Sequence, residues 1–279
     1  MIDIIDVDKL FDNFVSDLVY SELGKVKPEE IEDKMPLYYE RFQKTAFPEL
    51  GGKTPETFYK GYSADELLLC LSEHVQKGVP ISDFLCQAIT SLPDCETAVA
   101  AALSVDGEEE YTMYLMNILA EKNSDKAINR YLEFVVWDYS EPVRELATEL
   151  LCGFADEIKE SVIGQFYDVD GEKKECLTEI LSYSSRDDRV FEILIEQFVL
   201  NADRMPAYLG YLVRYGDERA LPYLYSAIEG DKIDYNDYKE LLLAIEALGG
   251  EYDKERDFSS DKVYKRIKEA ENSVRKNSV

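Results

Sequence analysis

One phrase recurs along this chain. Asp125-Lys126-Ala127-Ile128-Asn129-Arg130-Tyr131-Leu132, Asp188-Arg189-Val190-Phe191-Glu192-Ile193-Leu194-Ile195 and Glu218-Arg219-Ala220-Leu221-Pro222-Tyr223-Leu224-Tyr225 each give an acidic turn residue, a base and then the apolar face of a helix. A fixed internal period means supersecondary units that bury their faces against their neighbours, so it constrains the fold more than any single residue does. Ala127 and Val190 lie 63 positions apart (190 − 127), twice a period of about 31 to 32, which places a further copy near residue 158. Asp156-Glu157-Ile158-Lys159-Glu160-Ser161-Val162-Ile163 fills it, with Glu157 where the base would stand.

A second helical series runs between these copies, ending at Ile118-Leu119, Leu150-Leu151, Ile180-Leu181, Leu212-Val213 and Ile245. Each unit is therefore two helices, and such pairs are expected over residues 107 to 255. Met113, Leu115, Met116, Ile118 and Leu119 keep helical spacing, and no comparable strand alternation is present.

Ser140-Glu141-Pro142-Val143-Arg144-Glu145-Leu146-Ala147-Thr148-Glu149-Leu150-Leu151-Cys152-Gly153 resembles the first helix of a HEAT repeat, and Tyr215-Gly216-Asp217-Glu218-Arg219-Ala220-Leu221-Pro222-Tyr223-Leu224 resembles the turn and second helix. The resemblance to HEAT and armadillo-like proteins covers about half the chain. It implies an all-α, α-α superhelix, a HEAT-like solenoid of antiparallel helix pairs. The expected organisation is a helical N-terminal cap over residues 1–62, repeats over 63–255 and a basic C-terminal helix or tail over 256–279. In such arrays the second helices line the concave side. The resemblance thus implies a partner-facing surface made by Tyr131, Glu192, Glu196, Tyr225 and Glu229.

In the cap, Val7, Leu10, Phe11, Phe14, Val15 and Leu18 form one helical stripe that Asp6 or Asp8 can cap. A turn is expected after Gly24. Lys27-Pro28-Glu29-Glu30 then suits a first helical turn.

Charge narrows the partners. Lys plus Arg is 31 and Asp plus Glu is 58, a formal net charge of −27, which repels nucleic acid and anionic membrane. Only the last stretch is basic, with Lys262, Lys265, Arg266, Lys268, Arg275 and Lys276 against Asp261, Glu269 and Glu271. A protein or peptide partner is expected, and a cationic one would be steered to such a surface, although acidity is equally a solubility device. The start, Met1-Ile2-Asp3-Ile4-Ile5-Asp6, lacks the basic flank and apolar stretch of a signal peptide, so the expected location is the cytoplasm.

Apparent chemical motifs dissolve on inspection. The five cysteines, Cys70, Cys86, Cys95, Cys152 and Cys176, have no C-x-x-C spacing and read as small buried thiols. His74 is the only histidine and reads as a partly buried or surface helix residue. Gly52-Lys53-Thr54 lacks the earlier glycine of a phosphate loop, Phe47 standing there, and Thr54-Pro55 reads as a helix start. Asp168-Val169-Asp170-Gly171-Glu172 lacks the closing glutamate of a calcium loop, position 177 being Leu, so Asp170 is expected to cap the next helix. Glu108-Glu109-Glu110 reads as a first helical turn. No catalytic constellation, cofactor or metal is expected. The function that fits is a non-enzymatic protein-interaction module. The competing expectations are a helical-repeat hydrolase or lyase with an acidic pocket, and an acidic neutraliser of a basic protein.

Overall fold

The computed structural model describes residues 2–21, 28–104, 107–231 and 233–277, with the side chains of 21, 28–30 and 271–277 excepted. The turn expected at Gly24 lies outside them. Among the described residues the secondary structure is entirely helical, α-helices joined by short 3-10 turns. No helix among them is long and apolar enough to cross a membrane. The chain packs as two units, Met1–Arg130 with Tyr139–Leu146, and Tyr131–Asp138 with Ala147–Val279.

The first unit holds α1 (Val7–Ser21), α2 (Pro28–Gln43), α3 (Pro55–Phe58), α4 (Ala64–Lys77), α5 (Asp83–Thr90), α6 (Cys95–Ala102) and α7 (Glu109–Glu121). Asp6 caps α1, accepting the Lys9 amide at 2.8 Å. Helix α1 lies on α2 through Phe11, which meets Tyr39 and Phe42 at 5.5 and 5.1 Å between ring centroids. Phe42 is fully buried, and Phe84 of α5 joins the same cluster. Thr54 and Pro55 do start α3, with Pro55 at its first position. Ser63 and Glu66 close a reciprocal capping box on α4. Glu108 is itself the cap of α7, accepting the Glu110 and Tyr111 amides.

Helices α8 (Ile128–Val136) and α9 (Glu141–Cys152) each contribute to both units. The second unit continues with α10 (Ala155–Gln165), α11 (Gly171–Ser182), α12 (Asp188–Leu200), α13 (Met205–Tyr215), α14 (Leu221–Ile228), α15 (Tyr235–Ala247) and α16 (Lys262–Asn277). Here α11 packs on α13 and α13 on α15, while α10, α12 and α14 each pack on the helix that follows. The helices of both expected series are thus present. Leu151, Val162, Phe166, Leu177, Ile180, Leu181, Val190, Leu224 and Leu241 are fully buried between them.

The turns carry the repeated acid and base, and the acid that precedes each of the last two phrases is the one that caps. Asp187, not Asp188, caps α12 by accepting the Arg189 amide at 2.9 Å. Asp217, not Glu218, accepts the Arg219 amide at 3.0 Å. The cap sits two residues before the base because an N-cap side chain reaches the amides that follow it. The following acid has another use: Asp188 receives Nη1 of Arg219 from the next turn at 2.7 Å. Likewise Arg189 spans its own Asp187 and Glu160 of α10. Asp170 holds the N-cap position of α11 but makes no capping bond there.

The fifth pair also departs from expectation. Gly249 adopts a left-handed φ of 81° after α15, and residues 250–258 are not helical. Side chains hold this segment instead. The Tyr225 hydroxyl donates to the Glu251 carbonyl at 3.2 Å, the Tyr238 hydroxyl to the Lys254 carbonyl at 2.7 Å, and Arg256 to the Gly230 carbonyl at 2.7 Å. Helix α16 starts only after it.

Tyr215 joins two turns: its oxygen accepts the Asp187 amide at 2.7 Å and its hydroxyl donates to the Asp187 carbonyl at 3.0 Å. Tyr215→Phe keeps the ring and removes both bonds, so the unfolding free energy in urea should fall by roughly 1 to 2 kcal/mol at unchanged slope. No measurable loss would mean that water replaces these bonds without cost. Arg219 hydrogen bonds hold the Asp217 carboxyl below its ordinary 3.8, against burial that pushes it up. Because the folded value is the lower one, this stabilisation is complete above the unfolded value and is lost as pH falls through the folded one. The stability gap between wild type and Asp217→Asn should therefore be flat from about pH 7 to about pH 5 and close below about pH 4. A gap that persists at low pH would place the effect elsewhere than on the charge.

Candidate functional site

The five residues expected to face a partner do not form one surface. Tyr131 is 1% exposed. It lies on the apolar stripe of α8, its hydroxyl has no hydrogen-bond partner, and burial pushes that hydroxyl up to about 12. It is a core residue. Glu192 and Glu196 are exposed on α12, and Glu196 accepts the Tyr167 hydroxyl at 2.9 Å. Tyr225 is half-buried and stacks on Tyr252 at 6.4 Å. Glu229 is taken up by the Tyr252 hydroxyl at 3.0 Å and by an ion pair with Lys254. Tyrosine at repeat positions is mostly interior: Tyr208, Tyr211 and Tyr215 are buried, whereas Tyr223 is 43% exposed.

The structure opens a different surface close by. The last turn of α12 borders α14, whose Tyr223, Ser226 and Ala227 line the same concavity as Phe198 and Val199. That turn ends apolar, with Phe198 buried and Val199 and Leu200 at 59% and 67% exposure. The chain then leaves α12 through Asn201, whose side-chain amide donates to the Gln197 carbonyl at 2.8 Å, and a 3-10 turn at Ala202–Arg204. The result is a groove of 740 Å³ floored by Phe198, Val199, Met205, Tyr223, Ala227 and Ile233. Three carboxylates line it as well: Asp203 from the 3-10 turn, Asp231 after α14 and Asp237 in the first turn of α15. Among the described residues no base forms an ion pair with any of them. Burial raises the Asp237 carboxyl above its ordinary 3.8, and the neighbouring Asp234 and Glu240 add to the rise. Sequence reasoning missed this groove. Its signal was the apolar run Phe198-Val199-Leu200 at the end of an amphipathic helix, too long for one face.

A second arrangement has the look of chemistry. On α4 the Cys70 Sγ lies 3.6 Å from His74 Nδ1, the partners of a nucleophilic pair. His74 is fully buried rather than at the surface, because its ring fits under the chain start, with Nε2 3.4 Å from the Ile5 carbonyl. Nδ1 sits 2.8 Å from the Cys70 carbonyl, an oxygen that can only accept, so the Nδ1 proton points there and no lone pair is offered to the thiol. Burial pushes the Cys70 thiol up to about 11. Cys70 is therefore a packed, protonated thiol rather than an activated nucleophile. Burial likewise raises Cys86 and Cys95, and takes Cys152 to about 12.

The remaining motifs are structural. The Lys53 ammonium is 3.4 Å from the Phe58 carbonyl and 5.1 Å from the centre of the Tyr62 ring, where a phosphate loop would need it free. Among the described residues no cluster of three His, Cys, Asp or Glu side chains is arranged to hold a metal ion.

No protein-family profile matches this chain, and no curated protein is significantly similar to it.

A raised thiol pKa means little thiolate at mild alkaline pH, and the thiolate is the reactive form. Alkylation of the native protein with iodoacetamide at about pH 8, followed by mass spectrometry, should therefore leave Cys70 and Cys152 unmodified long after free cysteine has reacted. Rapid modification of Cys70 would show that its burial beneath the Ile5 segment opens readily.

Proposed function

We propose that this chain is a non-enzymatic protein-interaction module whose helix pairs stack as a HEAT-like α-solenoid, capped by residues 1–62, and that a protein partner docks in the groove between α12 and α15. Two features support the solenoid part of this reading. Within the second unit, alternate helices pack on one another, and cross-turn bonds join residues about one period apart: Arg189 to Glu160, Arg219 to Asp188, Arg186 to Gly216.

The groove carries the functional part. Exposed apolar side chains scattered singly are ordinary, whereas Val199 and Tyr223 share one concavity, with Leu200 beside Val199 on α12. Small-ligand sites bury most of their ligand, roughly 70–90% of its surface. Here the walls are themselves half in water, so a small molecule would stay largely solvated. A macromolecular surface that covers the rim as well as the floor removes that difficulty.

The test compares wild type with Val199→Asp/Tyr223→Ala. Both positions are exposed, so the fold should tolerate the pair within about 1 kcal/mol. Affinity capture from the source organism's lysate should recover a stoichiometric protein with the wild type and lose it with the double variant. No stoichiometric partner at low and moderate salt, or equal recovery by both proteins, would overturn the proposal.

A further inference from the structure

The rim of the groove narrows what can lie in it. This step rests on the docking reading above and adds the chemistry of the occupant. Asp203, Asp231 and Asp237 come from three separate segments and converge on one apolar floor. Several acids elsewhere in this unit are answered by bases: Asp187 by Arg189, Asp217 by Arg219, Glu175 by Arg204, Glu229 by Lys254. The three groove acids have no such partner among the described residues. Asp203 and Asp231 are exposed and Asp237 is half-buried, so a cation held over the apolar floor would meet carboxylates from all three segments.

The backbone of the groove decides the form of the occupant. An extended peptide lying on the floor would bury its own amides and carbonyls and would need partners there. Five carbonyls around the groove are already used. Gln197 accepts from the Asn201 amide and side chain, Ala227 from the Gly230 amide, and Ile228, Gly230 and Asp231 from Arg256. A helix satisfies its backbone internally and presents only side chains, so it can enter without leaving polar groups unpaired.

We infer that the groove receives an amphipathic basic helix of a partner protein, its apolar face on Val199, Met205, Tyr223 and Ile233 and its Lys or Arg side chains against Asp203, Asp231 and Asp237. The chain contains one such helix itself. Helix α16 carries Lys262, Lys265, Arg266 and Lys268, and packs along α15 with Tyr264 against Tyr235 at 4.9 Å. Its half-buried face is therefore engaged within its own unit, which leaves the groove to a partner.

The probe is a fluorescent peptide of roughly 16 residues, about four helical turns, made of Leu and Lys with Leu at helical spacing. Fluorescence anisotropy with the full chain should show one-to-one binding that weakens with added salt. Val199→Asp/Tyr223→Ala should abolish it. Asp203→Asn/Asp231→Asn/Asp237→Asn should weaken it roughly tenfold, the size expected for several solvent-screened rim pairs. Glu145→Gln/Glu149→Gln/Glu157→Gln removes the same charge from exposed sites outside the groove and should change affinity by less than about twofold. Thermal melts of all variants establish that each is folded.

Equal weakening by the two triple variants would overturn the inference in favour of diffuse attraction to an acidic protein. Equal binding of a Leu/Glu peptide would remove the basic requirement, and equal binding of the same peptide interrupted by proline would remove the helix. Sedimentation velocity on the full chain supplies one more outcome: self-association lost in Val199→Asp/Tyr223→Ala would identify a second copy as the occupant and overturn the partner. If lysate capture succeeds through the groove while the Leu/Lys peptide fails, docking stands and this chemistry falls. If both fail, both readings fall together.

Discussion

The second unit depends on how successive turns are joined across a surface where acids outnumber bases. Each seam brings carboxylates together: Asp187 beside Glu160, Asp217 beside Asp188. Two needs meet at each of these places. The helix start needs an acidic cap for its free amides, and the seam needs a cation to hold that cap next to the acid of the neighbouring turn. One arginine serves both. The Arg219 guanidinium takes the Asp217 carboxylate with Nε and Nη2, reaches Asp188 with Nη1 and lies 4.3 Å over the Phe191 ring. Lysine could not do this, because a point charge cannot fork one carboxylate, bridge to a second and stack on an aromatic face together. Isolated surface pairs contribute little, since ordering two long side chains offsets the attraction. Here the carboxylate is already fixed by its helix, and only the arginine has to be ordered. The corresponding bonds from Arg189 pull the Asp187 carboxyl down to about 2.

Much of this was legible in the sequence because it is periodic. Apolar spacing located both helical series, and the recurring acid and base located the turns. What failed was local geometry that a period does not encode. The phrase did not say which acid caps the helix, because Asp187-Asp188 and Asp217-Glu218 each present two acids in a row, and only backbone conformation separates them. Tyr131 was read as a surface residue from its place in a repeat. Its ring is interior because the stripe of α8 is broad, with Ala127, Ile128, Tyr131, Leu132, Val135 and Val136 all buried. The stretch after α15 escaped because a non-helical segment held by Tyr225, Tyr238 and Arg256 has no periodic signature. Gly250 is needed there, since a Cβ would come within 2.6 Å of the Tyr225 hydroxyl.

The groove was illegible for a further reason. It is built from the end of α12, the middle and end of α14 and the stretch leading into α15, and comparing repeats aligns their starts while ignoring their ends. Phe198-Val199-Leu200 looks like a helix face continuing to be buried. Phe198 is buried, but Val199 and Leu200 stand in water.

Acidity alone does not separate solubility from recognition, but the manner in which acids are neutralised does. An acidic protein selected only for solubility would carry its unanswered carboxylates fully exposed, where hydration costs nothing and mutual repulsion is screened. Many here do: Glu145, Glu149 and Glu157 stand in solvent. Asp237 does not. It is half-buried, its charge is opposed by burial and by Asp234 and Glu240, and it borders apolar floor with two further unanswered acids. At a seam the same arrangement is corrected by an arginine. In the groove no base among the described residues does so, and Asp237 keeps its raised carboxyl beside exposed apolar surface.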